Sequence, residues 1–201
     1  MPIALLLEKS MKVKNLFKPD NWWLLILIGI IAWMIYVIFS NPEYNKAFNF
    51  ILPGLSITFL STIISFVIAL FLGLISGIGR ISDNKIARTI SRTYIEFIRG
   101  VPVLILIFTI AFVVVVRGAE FFNINNGNVP MLVRAIIALS VFYGAYIAEV
   151  FRAGIESVNV GQREGGASLG LTDRQVMRFI VLPQAFRNML PALGNDFISM
   201  M

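Results

Sequence analysis

Residues 47–79 read AFNFILPGLSITFLSTIISFVIALFLGLISGIG, thirty-three consecutive positions without a charged side chain. A helix needs about 20 apolar residues to cross the hydrocarbon core of a bilayer. A run of this length and composition therefore places the chain among helical membrane proteins. Pro53-Gly54 interrupts the run and predicts a break. Ala47–Leu52 reads as a short surface or re-entrant piece, and Leu55–Gly79 as a span.

The rest of the chain agrees. Of 201 residues, 58% are hydrophobic and 14% charged, against about a quarter charged in soluble domains. There is no cysteine and no histidine. That removes disulfides, Cys/His metal sites and the usual near-neutral acid–base side chain, and with them serine–histidine and zinc-protease chemistry. The formal charge is +6, but the cations lie between apolar segments. That pattern fits membrane topology rather than nucleic-acid binding.

Four further spans follow. Trp22–Phe39 carries no charge. It follows a lysine-bearing head, yet it is long for a signal-peptide core and no cleavage pattern follows Ser40, so it reads as a retained anchor. The third span is expected from Tyr94 to Val116, the fourth from Pro130 to Val150, and the fifth from Arg187. Arg134 and Glu149 would then sit at interfaces. Only fourteen residues follow Arg187, about 21 Å of helix, which is short of a hydrocarbon core of about 30 Å. The expectation is five visible spans of six.

Lysine and arginine orient the set. Residues 1–21 carry four, 80–93 carry four and 152–187 carry five, whereas 41–50 and 117–129 carry one each. The positive-inside rule places the N-terminus and the loops 80–93 and 152–187 in the cytoplasm. The cations Arg80, Lys85, Arg88 and Arg92 admit contact with anionic lipid, though topology alone accounts for them.

The loop 152–187 is long, charged and glycine-rich. Gly161 and Gly170 bracket Gln162–Leu169, enough for about two helical turns. Thr172 and Gln175 have the spacing of a capping box opening a second helix. Arg174–Ile180 should be helical, with Leu182-Pro183 interrupting before the next span. Glu164-Gly165-Gly166, Gly170, Ile180 and Leu182-Pro183 resemble, interval for interval, the cytoplasmic signature of ABC importer permeases: Glu-Ala-Ala, three residues, Gly, nine residues, Ile, one residue, Leu-Pro. Glycines stand at 165 and 166 where the family has alanines. Each weakens a helix by about 1 kcal/mol relative to alanine, which predicts a softer element. The likeness to polar amino-acid permeases extends over residues 54–201. It includes Tyr94–Pro102, the stretch from Ala145 through Ile155 and on to Gly161-Gln162, Leu182–Arg187, and Gly194-Asn195.

The resemblance implies an all-α polytopic bundle of the type I ABC importer permease kind. Its organisation would be a cytoplasmic head at 1–21, an additional first span and extracytoplasmic connector at 22–53, and the permease domain at 54–201. It implies ATP-driven import of an amino acid, a polar one, across a prokaryotic inner membrane. The expected partners are ABC ATPase subunits, a second permease subunit (a copy or a relative) and an extracytoplasmic solute-binding protein, with no nucleic acid. Glu164, Gly165, Gly166, Gly170, Leu182 and Pro183 would form the ATPase-coupling loop.

The chain has no phosphate-binding loop of its own. Gly161 and Gly166 have the interval, but Ala167 replaces the lysine. No cofactor is expected in this subunit, ATP and magnesium belonging to the partner ATPase.

Two features stay open. Thr58, Ser61, Thr62, Ser65, Ala69, Gly73 and Ser76 share a helix face, which suits either a polar path or close helix packing. Glu149 and Asp196 are carboxylates in apolar surroundings, functional candidates by default. Salt bridges from Glu149 to Arg152 or Arg99 would make it structural, and Glu96 and Arg99 have the spacing to pair. Asn195 and Asp196 either face the bundle interior or mark an unwound stretch near substrate. The alternatives to an amino-acid importer are a permease for another small solute, an ion-coupled secondary carrier using Glu149 or Asp196, and a membrane anchor.

Overall fold

Two helices fill the described part of the first compact unit, which ends at Ser56. The computed structural model describes residues 22–124 and 129–201, so the head 1–21, with Lys9, Lys12, Lys14 and Lys18, lies outside the described residues. Helix α1, Trp22–Ser40, is apolar all round and buries none of its side chains against the chain. A helix of this kind is solvated by lipid. Asn41 starts the next helix: its side-chain oxygen accepts the Glu43 N–H at 2.9 Å. Pro42 then occupies the first helical position, where a missing N–H is harmless.

Helix α2 runs unbroken from Pro42 to Ile81, with Pro53 inside it. The predicted break at Pro53-Gly54 is not there. One proline removes one hydrogen bond from a ladder of 40 residues, and membrane helices tolerate that loss.

Among its described residues the second unit, 57–201, contains the rest of α2 and six more helices. Helix α3 is Lys85–Gly100, and Asn84 caps it by accepting the N–H groups of Ile86 and Ala87. The chain then turns. Val101 is extended and Pro102 stands at the N-cap of α4, Val103–Phe121. The third span therefore starts at Val103 rather than Tyr94, because the residue before a proline is pushed out of the helical region. Within α4, Ile110–Val114 forms a π-helical turn. Helix α5, Met131–Glu156, continues six residues past the expected end at Val150. Helix α6 is Val160–Ser168, α7 is Asp173–Val176 and α8 is Leu182–Ser199.

Four helices among the described residues are long and apolar enough to cross a membrane: α1, α2, α4 and α5. The expected fifth span corresponds to α8, which starts at Leu182 and carries Arg187, Asn188 and Asp196.

The core lies where α5 meets α2 and α8. Thr62, Ser65, Ala69, Gly73 and Gly77 of α2 are buried. A Cβ on Gly73 would stand 2.5 Å from Ile147 Cγ2, and one on Gly77 would stand 3.0 Å from the Ala148 carbonyl oxygen. Small side chains thus let the two backbones approach. The Ser140 hydroxyl donates to the Ile136 carbonyl at 2.7 Å and reaches the Ser65 carbonyl at 3.3 Å. A second cluster joins Ile98, Leu106, Ile110, Ala138 and Phe142, and the Tyr94 hydroxyl ties α3 to α5 by donating to the Val141 carbonyl at 2.6 Å.

Candidate functional site

The loop after α5 folds as a unit. Asn159 caps α6, its side chain accepting the Gly161 N–H at 2.8 Å. Helix α6 therefore starts at Val160, and Gly161 lies in its first turn rather than bracketing it. At the other end, Gly170 has φ +78°. Its N–H donates to the Ala167 carbonyl at 2.9 Å, and the Leu171 N–H to the Gly166 carbonyl at 3.2 Å. This pair of bonds is the Schellman arrangement, which glycine closes without a Cβ clash. Gly170 is thus the turn that the spacing predicts.

Beyond the turn, the Thr172 N–H donates to Gln175 Oε1 at 2.8 Å, as the capping box requires. Pro183 does not interrupt the helix. Met177–Val181 widens into a π-helical turn, Leu182 keeps helical dihedrals, and Pro183 falls in the first turn of α8. The extra residue of the π turn accommodates a proline that an unbroken α ladder would exclude.

Packing fixes α6 against this continuous segment. Gly166 is buried beneath Ile180 and Val176. Gln184 of α8 donates to Gln162 Oε1 at 3.3 Å and to the Ile180 carbonyl at 3.0 Å. Arg163 reaches back to the Ile155 carbonyl at 2.8 Å, and Asn188 donates to the Ser157 hydroxyl at 2.8 Å. The opposite face is open. Glu164 and Gly165 are exposed, and Leu169 is 81% exposed at the tip. Of the six loop residues singled out in the sequence, Glu164, Gly165, Gly166 and Gly170 lie on α6 and its turn. Leu182 and Pro183 lie at the root of α8. Leu169 escaped notice, although an apolar residue beside a tight turn in a charged loop is a readable signal.

The carboxylate of Glu149 gathers cations from three helices. Arg80 of α2 donates to it at 3.0 Å, Arg99 of α3 stands at 3.8 Å, and Arg152 of α5 pairs with it directly. Arg152 also pairs with Glu156. Two of the three partners match the expected salt bridges. Arg80 was not foreseen as a partner, having been read as a topology signal that also admits contact with anionic lipid. Glu96 pairs with Arg92 at 2.7 Å; Arg99 does not pair with it, and instead lies over the Tyr146 ring at 5.5 Å.

A cavity of about 370 Å³ opens beside this cluster, lined by Arg99, Tyr146, Glu149, Asn188, Met189 and Asp196, among others. One carboxylate oxygen of Asp196, Oδ2, is buried without a hydrogen-bond partner. Helix α8 is regular through Ser199, so there is no unwinding at Asn195-Asp196, and Asn195 is exposed. Of the small-residue face on α2, Thr62 and Ser65 are sealed in the seam with α5, Ser61 is half-buried and Thr58 is exposed.

Residues 69–201 match the family described as binding-protein-dependent transport system inner membrane component. The chain is 40% identical over 158 residues to the "Probable amino-acid permease protein YxeN" of Bacillus subtilis (strain 168), covering 78% of this chain and 67% of that one. It is 31% identical over 152 residues to the glutamine transport system permease protein GlnP of Escherichia coli (strain K12), covering 76% and 67%. A crystal structure of an amino acid ABC transporter with histidines superposes with a TM-score of 0.69 at 35% identity, over 79% of this chain and 70% of that one.

Proposed function

Because the chain belongs to the family of binding-protein-dependent transport system inner membrane components, and is thereby a multi-pass permease subunit of an amino-acid ABC importer, we propose that α6, the Gly170 turn and α7 dock a separate ATPase and transmit its closure to the spans. The supporting observation is the two-sided character of this unit. One side is fastened to α5 and α8 through Arg163 and Gln184, with Gly166 packed beneath Val176 and Ile180 of the segment that leads into α8. The other presents Glu164, Gly165 and the exposed Leu169. Burying one leucine side chain is worth roughly 1.5–3 kcal/mol, so a partner groove that covers Leu169 gains affinity, and the fastened side carries displacement into α8. Glu164, Gly165, Gly166 and Gly170 form the docking element, and Leu182-Pro183 its hinge to the membrane.

In this reading ATP and magnesium reside on the ATPase, a second permease subunit completes the path, and a solute-binding protein delivers the substrate, a polar amino acid. The N-terminus and the docking loop face the cytoplasm of a prokaryote, as the distribution of Lys and Arg favours. The substrate path runs by the cavity that Asp196 helps to line. Its Oδ2 is buried without a hydrogen-bond partner, and the carboxylate would suit the ammonium group of an amino acid once the path opens to it. Thr58, Ser61 and Asn195 are more accessible to such a path than Thr62 and Ser65.

Uptake of radiolabelled polar amino acids into proteoliposomes, with a cognate ATPase and binding protein, tests the assignment. ATP-dependent accumulation is expected. Uptake driven by a proton or sodium gradient and indifferent to ATP would replace this reading with a secondary carrier. Asp196→Asn should depress uptake while leaving assembly with the ATPase intact.

A further inference from the structure

Helix α3 has three faces where an ordinary surface helix has two. Ala87, Ser91, Tyr94, Ile95 and Ile98 pack against the rest of the second unit, Ile95 and Ile98 being fully buried. Lys85, Arg88, Arg92 and Arg99 form a second, cationic face at helical spacing. Ile86, Ile90, Thr93 and Phe97 form a third, also at steps of three and four, and it is open: Ile86 is 71%, Ile90 65% and Phe97 63% exposed. A water-exposed stripe of two isoleucines and a phenylalanine is unfavourable by roughly 1.5–3 kcal/mol per side chain compared with burial. Something apolar should cover it.

The position of the helix says what. It follows α2, whose uncharged run ends at Gly79, and precedes α4, which spans from Val103. Both its ends are therefore tied to places where the chain meets the bilayer surface. Gly79 also holds it close to α2, since a Cβ there would run into Ser91. A helix with an apolar stripe beside a cationic face, held at that level, has the pattern of one lying in the interface.

We propose that α3 lies in the interfacial layer of the leaflet on the basic side of the protein, with Ile86, Ile90 and Phe97 among acyl chains and Lys85, Arg88 and Arg92 on the headgroups of anionic phospholipid. The charge complementarity selects lipid over a second protein surface. Lys85 makes no ion pair among the described residues. Arg88 is exposed: it donates to the Ser82 carbonyl at 2.9 and 2.7 Å, and its one ion-pair approach among the described residues is a marginal 4.0 Å to Asp83, so its charge is not neutralised. Arg92 remains exposed while pairing with Glu96.

The absence of native cysteine makes the test direct. Spin labels placed by Ile86→Cys, Ile90→Cys, Phe97→Cys and Thr89→Cys in the full chain are read in vesicles of phosphatidylcholine, with and without phosphatidylglycerol. Labels at 86, 90 and 97 should be accessible to oxygen and shielded from a water-soluble nickel relaxant, and the label at 89, on the polar side, should show the reverse. Phosphatidylglycerol should draw the label at 90 deeper, and Lys85→Gln with Arg92→Gln should abolish that shift. Nickel access at 86, 90 and 97 would overturn the proposal. So would shielding from both relaxants with spin–spin broadening, which would assign the stripe to a second copy. A depth unaffected by phosphatidylglycerol would overturn the anionic headgroup contact.

Discussion

Gly166 lies directly beneath Ile180: a Cβ on the glycine would come 2.6 Å from Ile180 Cδ1 and 3.0 Å from Val176 Cγ2. Its neighbour Gly165 has nothing within 4 Å of the same position. The two glycines that replace the family's alanines are therefore not equivalent. One leaves room that nothing fills, and the other is matched to β-branched residues across the turn.

Alanine at the two sites should separate them. Gly165→Ala gains helix propensity of up to about 1 kcal/mol with no contact to disturb, and amide exchange in α6 should slow by up to about fivefold. Gly166→Ala has the same propensity gain but must displace Ile180 and press on the stiff Val176, so exchange should not slow. Ile180→Val removes the Cδ1 carbon and should restore part of the gain. Equal slowing in both single variants would refute this account of Gly166.

Gly170 is a conformational requirement rather than a packing one. No atom lies within 4 Å of a Cβ there, but φ is +78°. Gly170→Val should impose strain of order 1–3 kcal/mol and loosen the bonds from Gly170 and Leu171 to Ala167 and Gly166. In reconstituted complexes the expected phenotype is ATP hydrolysis that persists with uptake largely lost. Gly170→Asn, which tolerates the left-handed region better, should be milder. Unchanged coupling in the valine variant would remove this turn from the transmission route.

Much of this was legible in sequence because it depends on local pattern. The apolar runs, the cation alternation, the turn at Gly170 and the Thr172–Gln175 cap all follow from short-range chemistry. The prolines were not. Pro53 was expected to break a helix and does not, Pro102 breaks one where none was expected, and Pro183 is absorbed by a π-helical turn. What decides each case is the backbone around it: Val101 goes extended before Pro102, whereas Leu182 stays helical before Pro183. Arg80 was missed as a partner of Glu149 because the two are 69 positions apart, and only the α2–α5 seam brings them together.

That seam makes its own prediction. A Cβ on Gly73 would meet Ile147 Cγ2 at 2.5 Å, Ile147 Cβ at 2.8 Å and the Ala148 nitrogen at 3.1 Å. Two of these atoms are fixed by the backbone of α5 and cannot swing aside. Gly73→Ala should force the helices apart and cost about 1–3 kcal/mol, seen as a lower unfolding midpoint in detergent. Gly29→Ala, with no neighbour to meet, should be neutral or slightly stabilising. A stable Gly73→Ala would show that α2 and α5 are not packed as closely as Gly73 and Ile147 indicate.

Glu149 is the common anion for Arg80, Arg99 and Arg152, so its removal differs in kind from removal of any one arginine. Glu149→Gln leaves three cations from α2, α3 and α5 facing one another with Glu156 alone beside Arg152. Because the carboxylate is only about one-fifth exposed, the loss should exceed the 0–1 kcal/mol of a surface pair and approach the roughly 3 kcal/mol of a broken buried pair. Arg80→Gln should cost less, since Arg152 still satisfies the carboxylate. In the double variant the Arg80 substitution should cost nothing further, because the charge it paired with is gone. Thermal unfolding of the four proteins in one detergent gives the coupling directly. Strict additivity would mean that Arg80 and Glu149 do not share an interaction, and that the ion pair does not fasten α2 to α5.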